Sequence, residues 1–264
     1  MVTLQQIRDA LPAGYTVDRS IKDGGQGSVL RGQKNGKEVA VKLFGGNVDR
    51  RRLAHEIDVL RNHNCANLIT IRDYFVIQIL GSDVDVVVYD FVGGSDLRTA
   101  AAGQVRMSAA EILSVAVDAS NAISALWQLR VVHRDIKPDN VMRDQSGRAI
   151  LVDLGVAKHL DRTAVTIAGF NPGTPGYMSP EQAAGRKNLT IRSDVFSLGI
   201  TLYEIAAATH PFLHMQAAIG TNQPRILRNV RPDLSKPLCD LIHLMMSPRL
   251  ADRPTNLQDR LSRC

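Results

Sequence analysis

Val131-Val132-His133-Arg134-Asp135-Ile136-Lys137-Pro138-Asp139-Asn140-Val141-Met142 decides how the rest of the chain is read. The β-branched start favours an extended entry. Ionisable side chains then crowd between His133 and Asp139. Pro138 removes a backbone donor and fixes φ, so a helix does not continue through it. Asn140-Val141-Met142 returns to strand-like character. A charged, proline-stiffened loop between apolar runs is a rigid mount for chemistry. Behind the apolar run Ile150-Leu151-Val152 comes Asp153-Leu154-Gly155. Two carboxylates and an amide on neighbouring loops suit Mg²⁺, which takes oxygen ligands and shares them with phosphates. The plainer reading is a solvated turn, but the motifs on either side fit one mechanism and weigh against it.

The chain has 264 residues, 44% hydrophobic and 22% charged, enough for one large domain or one domain of two lobes. The net charge of +6 suits anionic ligands, but it is spread along the chain. Arg50-Arg51-Arg52 reads as a solvated helix start rather than a nucleic-acid patch. Aromatics at 5% are too few for base-stacking platforms, so no nucleic-acid partner is expected. Cys65, Cys239 and Cys264 are odd in number and lack C-x-x-C spacing, which reads as a reduced, cytoplasmic protein. No apolar run is expected to reach the length of a membrane span, and the amphipathic start lacks a signal peptide's apolar core. Oligomeric state is not legible.

In chain order, Thr3 with Gln6 forms a capping box for a short helix that Pro12 stops. Residues 15–22, 28–33 and 37–43 read as strands, the last two joined by the hairpin signal Asn35-Gly36. Asp23-Gly24-Gly25-Gln26-Gly27 joins the first two, and glycines there let backbone amides approach a phosphate. A plain hairpin turn explains that stretch about as well. Lys42 ends the apolar run Val39-Ala40-Val41 and needs an anionic partner or must snorkel. Residues 50–61 read as a helix with Leu53, Ile57 and Leu60 on one face. Glu56 on this helix is the natural mate of Lys42, against a surface pairing with Arg52. Residues 68–79 and 84–91 read as two more strands with a turn at Gly81-Ser82-Asp83. Val92-Gly93-Gly94-Ser95 reads as a linker. Helices then dominate: one capped by Ser108 and Glu111 and running to about 129, an apolar one over 193–208, and shorter ones near 234–246 and 256–261. A hairpin turns through Asp144-Gln145-Ser146-Gly147. The long irregular stretch 153–181 has the length of a functional loop.

With these pieces placed, the chain resembles the eukaryotic-type (Hanks-type) serine/threonine protein kinases over essentially its whole length. Several independent motifs occur in the family's order: Gly24-Gly25-Gln26-Gly27-Ser28-Val29, Val39-Ala40-Val41-Lys42, Glu56, His133-Arg134-Asp135 through Asn140, Asp153-Leu154-Gly155, Ser179-Pro180-Glu181, Asp194 and Arg253. The fold this implies is α+β and bilobal. A five-stranded antiparallel sheet with one helix makes a small ATP-binding lobe (1–92), and a mainly helical lobe (93–264) carries the catalytic and substrate-binding residues. Gly173-Thr174-Pro175-Gly176-Tyr177-Met178-Ser179-Pro180-Glu181, with Gln182, looks particularly like bacterial members.

The resemblance also implies roles. Gly24, Gly25 and Gly27 would cover the ATP phosphates. Lys42 would contact the α- and β-phosphates and pair with Glu56. Val29, Ala40 and Met142 would sandwich the adenine, with Tyr89 as a bulky gatekeeper and Asp90 to Val92 as the hinge. Asn140 and Asp153 would hold Mg²⁺, with Mn²⁺ as an alternative ion. Asp135 would orient the attacking hydroxyl and accept its proton, and Lys137 would offset charge on the γ-phosphoryl group. Asp194 would accept backbone donors near His133, and Glu181 would pair with Arg253. His133 would pack under Leu154. Arg134 would receive a phosphate from Thr163 or Thr166, and Thr174 would hydrogen-bond near Asp135 and Lys137. The implied activity is that of a non-specific serine/threonine protein kinase with protein substrates. It would also phosphorylate its own activation segment.

Three departures stand out. Lys22 occupies the first glycine position of the phosphate loop, Leu154 replaces the usual phenylalanine, and the Lys42–Glu56 interval is short. A pseudokinase scaffold and a small-molecule phosphotransferase are the competing readings. Lys42, Asp135, Asn140 and Asp153 speak against the first, and the segment ending in Ser179-Pro180-Glu181 against the second. His210 and His214 have metal-ligand spacing but no evident third ligand.

Overall fold

Alternating apolar residues in the first third of the chain build a five-stranded antiparallel sheet. Its strands are β1 (Tyr15–Gly24), β2 (Gly27–Lys34), β3 (Lys37–Gly45), β4 (Ile71–Ile79) and β5 (Ser82–Asp90), in the order β1-β2-β3-β5-β4. This computed structural model describes residues 2–24, 27–45, 50–61, 63–102, 106–153 and 173–264, with the backbone alone at 22–24, 27, 45, 51–53, 55, 56 and 59. These residues fall into two units. One comprises those of Met1–Asn64 and Ile69–Val92, the other those of Cys65–Leu68, Gly93–Gly155 and Ile167–Cys264.

In the first unit, Asn35 and Gly36 take φ of 49° and 80°, the left-handed pair of a two-residue hairpin turn. The β4–β5 turn differs from the expected Gly81-Ser82-Asp83. Ile79 pairs with Ser82, so Leu80 and Gly81 make the turn, with φ of 51° and 76°. Strand register sorts the side chains. Val29 lies opposite Lys42, and Ala40 opposite Tyr89, which puts all four on one face. Val17, Leu30, Val39, Val41, Val86 and Val88 fill the other face as a buried cluster.

Helix α1 (Leu4–Ala10) covers that second face through Ile7, and its N-terminus carries the expected Thr3–Gln6 capping box. Burying a side chain such as Ile7 contributes about 1.5–3 kcal/mol. Helix α2 (Arg50–Arg61) packs against β4 and buries Ile57 and Leu60. Among the described residues the unit thus holds both helices that the sequence leads one to expect, the short Thr3-capped one and the one over 50–61.

The second unit contains β6 (Gly94–Asp96), α3 (Leu97–Ala102), α4 (Ala109–Gln128), β7 (Val141–Asp144), β8 (Ala149–Leu151), α5 (Pro180–Ala183), α6 (Ile191–Ala207), α7 (Leu227–Val230), α8 (Lys236–Met245) and α9 (Leu257–Leu261). Nearly every residue of α6 is buried, and α3, α4, α7 and α8 pack against it. Gly199 permits the approach of α8: a Cβ there would lie 2.8 Å from that of Met245.

Three expectations are corrected here. The proposed linker 92–95 is partly structured, since Gly94–Asp96 pairs with β7 and runs into α3. Gly94 needs its φ of 147°, and a side chain there would strike the Arg143 carbonyl. Leu68 does not open β4; it bridges Leu151 in parallel, and Asn67 Nδ2 donates to Ala149 O at 3.0 Å. Finally, α4 is long and apolar enough to cross a membrane by length and composition. Its apolar side chains pack against α6, β8 and α9, and Ile112, Val115, Ile123 and Leu126 are buried.

Candidate active site

The loop 133–140 hangs from α6. Asp194, on the first turn of that helix and buried, accepts from His133 N at 2.8 Å with one carboxylate oxygen and from Arg134 N at 2.9 Å with the other. Burial pushes the Asp194 carboxyl above its ordinary range, while His133, Arg134 and their backbone N–H groups pull the other way. Arg134 has φ of +70°, a strained value for a side-chain-bearing residue. Asp194 holds its N–H, and Gln182 Nε2 donates to its carbonyl at 2.6 Å, so the strained turn is clamped from both sides. His133 Nδ1 accepts from Asp135 N at 3.3 Å, which places the ring proton on Nε2, 3.0 Å from the Val152 carbonyl. His133 is therefore a brace across the loop. Leu154, its expected packing partner, lies outside the described residues.

Asp135 is buried at the centre of a polar cluster. Thr174 Oγ1 donates to its Oδ1 at 2.7 Å, and Lys137 Nζ lies 3.4 Å from its Oδ2. Lys137 Nζ also donates to Thr174 Oγ1 at 2.7 Å, closing a triangle. Asn140 Nδ2 donates to the Asp135 carbonyl at 2.8 Å and to Oδ2 at 3.1 Å. Pro138 opens the 3₁₀ turn Pro138–Asn140 that delivers Asn140 to this position. The Val152 N–H donates to the Asn140 carbonyl at 2.9 Å and so ties that turn to the strand leading into Asp153, whose φ is +59°.

The Asn140 amide nitrogen is turned inward, so its amide oxygen points away from Asp135, and Asp153 follows on the next loop. Amide and carboxylate oxygens are the donor types that a divalent ion such as Mg²⁺ would take. His210 and His214 do not form a second centre. Their rings are 4.1 Å apart, but His210 Nδ1 accepts from the backbone N–H groups of Phe212 and His214, so its proton sits on Nε2 and neither nitrogen has a free lone pair. Burial first, and then His214, lower its pKa to about 4.

In the first unit, the face bearing Val29, Ala40, Lys42 and Tyr89 gathers four of the expected nucleotide residues. Lys42 is buried, with Nζ 5.1 Å from the centroid of the Phe44 ring. Tyr89 is buried as well. The Asp90 carboxylate is held by Arg72 through two bonds of 2.5 and 2.6 Å, and Asp90 N donates to the Thr70 carbonyl at 3.0 Å. The Asp90 side chain and its N–H are therefore both engaged within this unit. Val92 ends this unit, and Met142 sits on β7 of the other, opposite Asp96 and Ile150. Gly24 pairs with Gly27 where β1 meets β2, whereas Gly25, the Glu56 side chain, Thr163 and Thr166 lie outside the described residues and side chains.

Beneath the loop, Glu181 and Arg253 form the expected buried pair, with bonds of 2.7 and 3.0 Å. Ser193 donates to Glu181, and the Arg253 guanidinium stacks 4.7 Å from the Phe196 ring. A second network has no signal in the sequence. Arg98 on α3 donates to Asp139 at 2.9 Å, to Glu204 at 3.1 Å and to the Tyr177 hydroxyl at 2.8 Å, and Tyr177 in turn donates to Glu204. It binds the 133–140 loop, the segment after Thr174 and the end of α6 into one block.

Residues 15–262 match the family described as protein kinase domain. The chain belongs to that family. Among its relatives is the serine/threonine-protein kinase pkn3 of Myxococcus xanthus, 30% identical over 270 residues, or 92% of this chain and 48% of the relative. The serine/threonine-protein kinase PknA of Mycobacterium tuberculosis is 30% identical over 212 residues, 76% of this chain and 48% of its own. A probable serine/threonine-protein kinase PknB of Lactococcus lactis is 25% identical over 94% of this chain and 41% of its own. The kinase domain thus spans about half the length of the relatives it matches, and these relatives are bacterial. ATP and a divalent metal ion are the family's general requirements.

Proposed function

We propose that this kinase domain transfers the γ-phosphoryl group of Mg-ATP to serine and threonine hydroxyls of protein substrates. The observation that carries this reading is the Asp135 carboxylate, buried yet held in one orientation by Thr174, Lys137 and Asn140. The acceptor oxygen attacks the γ-phosphorus as the bond to the bridging oxygen of ADP breaks, and the hydroxyl proton passes to Asp135. Lys137 offsets charge that grows on the transferring oxygens. Lys42 contacts the α- and β-phosphates, with Glu56 as its partner. Gly24, Gly25 and Gly27 cover the phosphates, and Val29, Ala40, Met142, Tyr89, Asp90 and Val92 surround the adenine. Asn140 and Asp153 hold the metal, Mg²⁺ in preference to Mn²⁺, which when bound neutralises phosphate charge. Autophosphorylation at Thr166 or Thr163, read by Arg134, and a cytoplasmic location complete the proposal.

The test is transfer of labelled phosphate to a generic protein substrate, beside a thermal-shift titration with Mg-ATP. Asp135→Asn should keep nucleotide binding and lose transfer by roughly 10²–10⁴-fold. Nucleotide binding by the wild type without any transfer would show a scaffold instead. Mass analysis of freshly made protein, with the Thr163→Ala/Thr166→Ala double variant, tests the autophosphorylation sites separately.

A further inference from the structure

The loop after α6 leaves two large apolar side chains in the open, Leu213 at 67% and Met215 at 56% exposure. A single exposed apolar residue needs no explanation. These two sit on a loop that is fastened beside the catalytic carboxylate. Gln216 accepts from Gly176 N at 2.9 Å and donates to the Met178 carbonyl at 2.9 Å. A Cβ on Gly176 would lie 2.9 Å from His214 Cα, so the two backbones are in contact. Thr174, in the same segment as Gly176 and Met178, donates to Asp135.

The loop's shape is also held against strain. Leu213 and His214 have φ of 53° and 59°, consecutive left-handed positions that are strained for side-chain-bearing residues. His210 holds them there: its Nδ1 accepts from Phe212 N at 3.1 Å and His214 N at 2.9 Å. A conformation that is strained, clamped and apolar at its tip is suited to contact with another chain.

We propose that Leu213 and Met215 read the protein substrate, favouring serine and threonine acceptors that have a large apolar side chain a few residues away. This inference rests on the kinase reading given above. The occupant follows from continuity. Thr174, which donates to Asp135, and Gly176, whose backbone meets His214, are two residues apart in one segment, and a substrate chain whose hydroxyl reaches Asp135 advances about 3.3–3.6 Å per residue when extended. Neighbours of the acceptor residue then come within reach of the loop fastened to that segment. Leu213 and Met215 would bury such a side chain, whereas Glu204, 3.6 Å from His214 Nε2, is already engaged by Arg98 and Tyr177.

The experiment uses an arrayed peptide library with one fixed serine, in which each flanking position carries in turn alanine, leucine, methionine, phenylalanine, arginine or glutamate. The quantity read is the ratio of kcat/KM for the apolar peptide to that for the alanine peptide. The wild type should favour an apolar residue at one or more flanking positions by about tenfold. The Leu213→Asp/Met215→Asp variant should bring that ratio near one and raise the ratio for arginine peptides. An apolar preference that survives in the double variant overturns the inference, as does a wild type that phosphorylates all peptides alike. An unchanged peptide preference together with loss of a concentration-dependent dimer in sedimentation would assign the surface to a second copy, and also overturns it. Failure of the wild type to phosphorylate any peptide would instead overturn the underlying kinase reading, and this inference with it.

Discussion

Thr174 and Asp135 are joined by a 2.7 Å hydrogen bond, and the same hydroxyl accepts from Lys137 at 2.7 Å. The threonine therefore sets the rotation of the carboxylate and the reach of the lysine together. Thr174→Ala should lower kcat by roughly 10–100-fold, the equivalent of about 1.5–3 kcal/mol for a bond to a charged group. Thr174→Ser keeps the hydroxyl and should restore most of the rate. Steady-state kinetics on one peptide, with KM for ATP measured alongside, checks both. Equal loss in the alanine and serine variants would show that the methyl group, not the hydroxyl, matters.

The Glu181–Arg253 pair makes a pH prediction. Burial raises the Glu181 pKa, but hydrogen bonds from Arg253 and Ser193 outweigh it and bring the value down to about 2. A folded-state value below the unfolded one stabilises the protein fully above about pH 4.5. That contribution is lost as pH falls toward 2, and it is on the order of 3 kcal/mol. Glu181→Gln should flatten this part of the acid-unfolding curve. Arg253→Met, which leaves the carboxylate buried and unpaired, should cost about 3–5 kcal/mol near neutral pH. Urea melts at pH 7 and pH 3 measure both effects.

Asp85 on β5 is fully buried, and its Oδ1 accepts from the Tyr74 hydroxyl at 2.7 Å and from Arg50 at 3.2 Å. Arg50 opens α2, so this carboxylate anchors the start of the helix to the sheet. Tyr74→Phe should cost about 1–2 kcal/mol through the lost hydrogen bond. The triple change Arg50→Met, Tyr74→Phe, Asp85→Leu should cost less than the sum of the single changes, because no buried charge is left behind. Thermal unfolding of all four variants tests the non-additivity, and strict addition would disprove the coupling.

Tyr89 is buried opposite Ala40, on the face that also bears Lys42. Tyr89→Gly should admit ATP analogues with a bulky group on the adenine amine, at a stability cost of about 3–5 kcal/mol for the aromatic side chain removed. Competition assays that compare one such analogue on both forms provide the check. Equal inhibition would show that Tyr89 does not face the nucleotide.

Much of this architecture is written in short-range pattern. Asn35-Gly36 specifies its hairpin, Thr3 with Gln6 and Ser108 with Glu111 specify their helix starts, and Pro138 specifies the break that delivers Asn140. The order of motifs from Val39-Ala40-Val41-Lys42 to Arg253 also identified the family. Each of these signals needs only neighbours within a few positions, or a motif recurring in a known order. Other features belong to the tertiary structure alone. Leu68 leaves its strand for a bridge to Leu151, α1 covers the far face of the sheet, Gln182 clamps Arg134, and Gln216 fastens one loop to another. Arg98 and Glu204 lie 106 positions apart and meet only because α3 packs on α6. Hydrophobic periodicity records which face of an element is buried, but not which element covers it, so long-range polar partners are decided only when the elements pack.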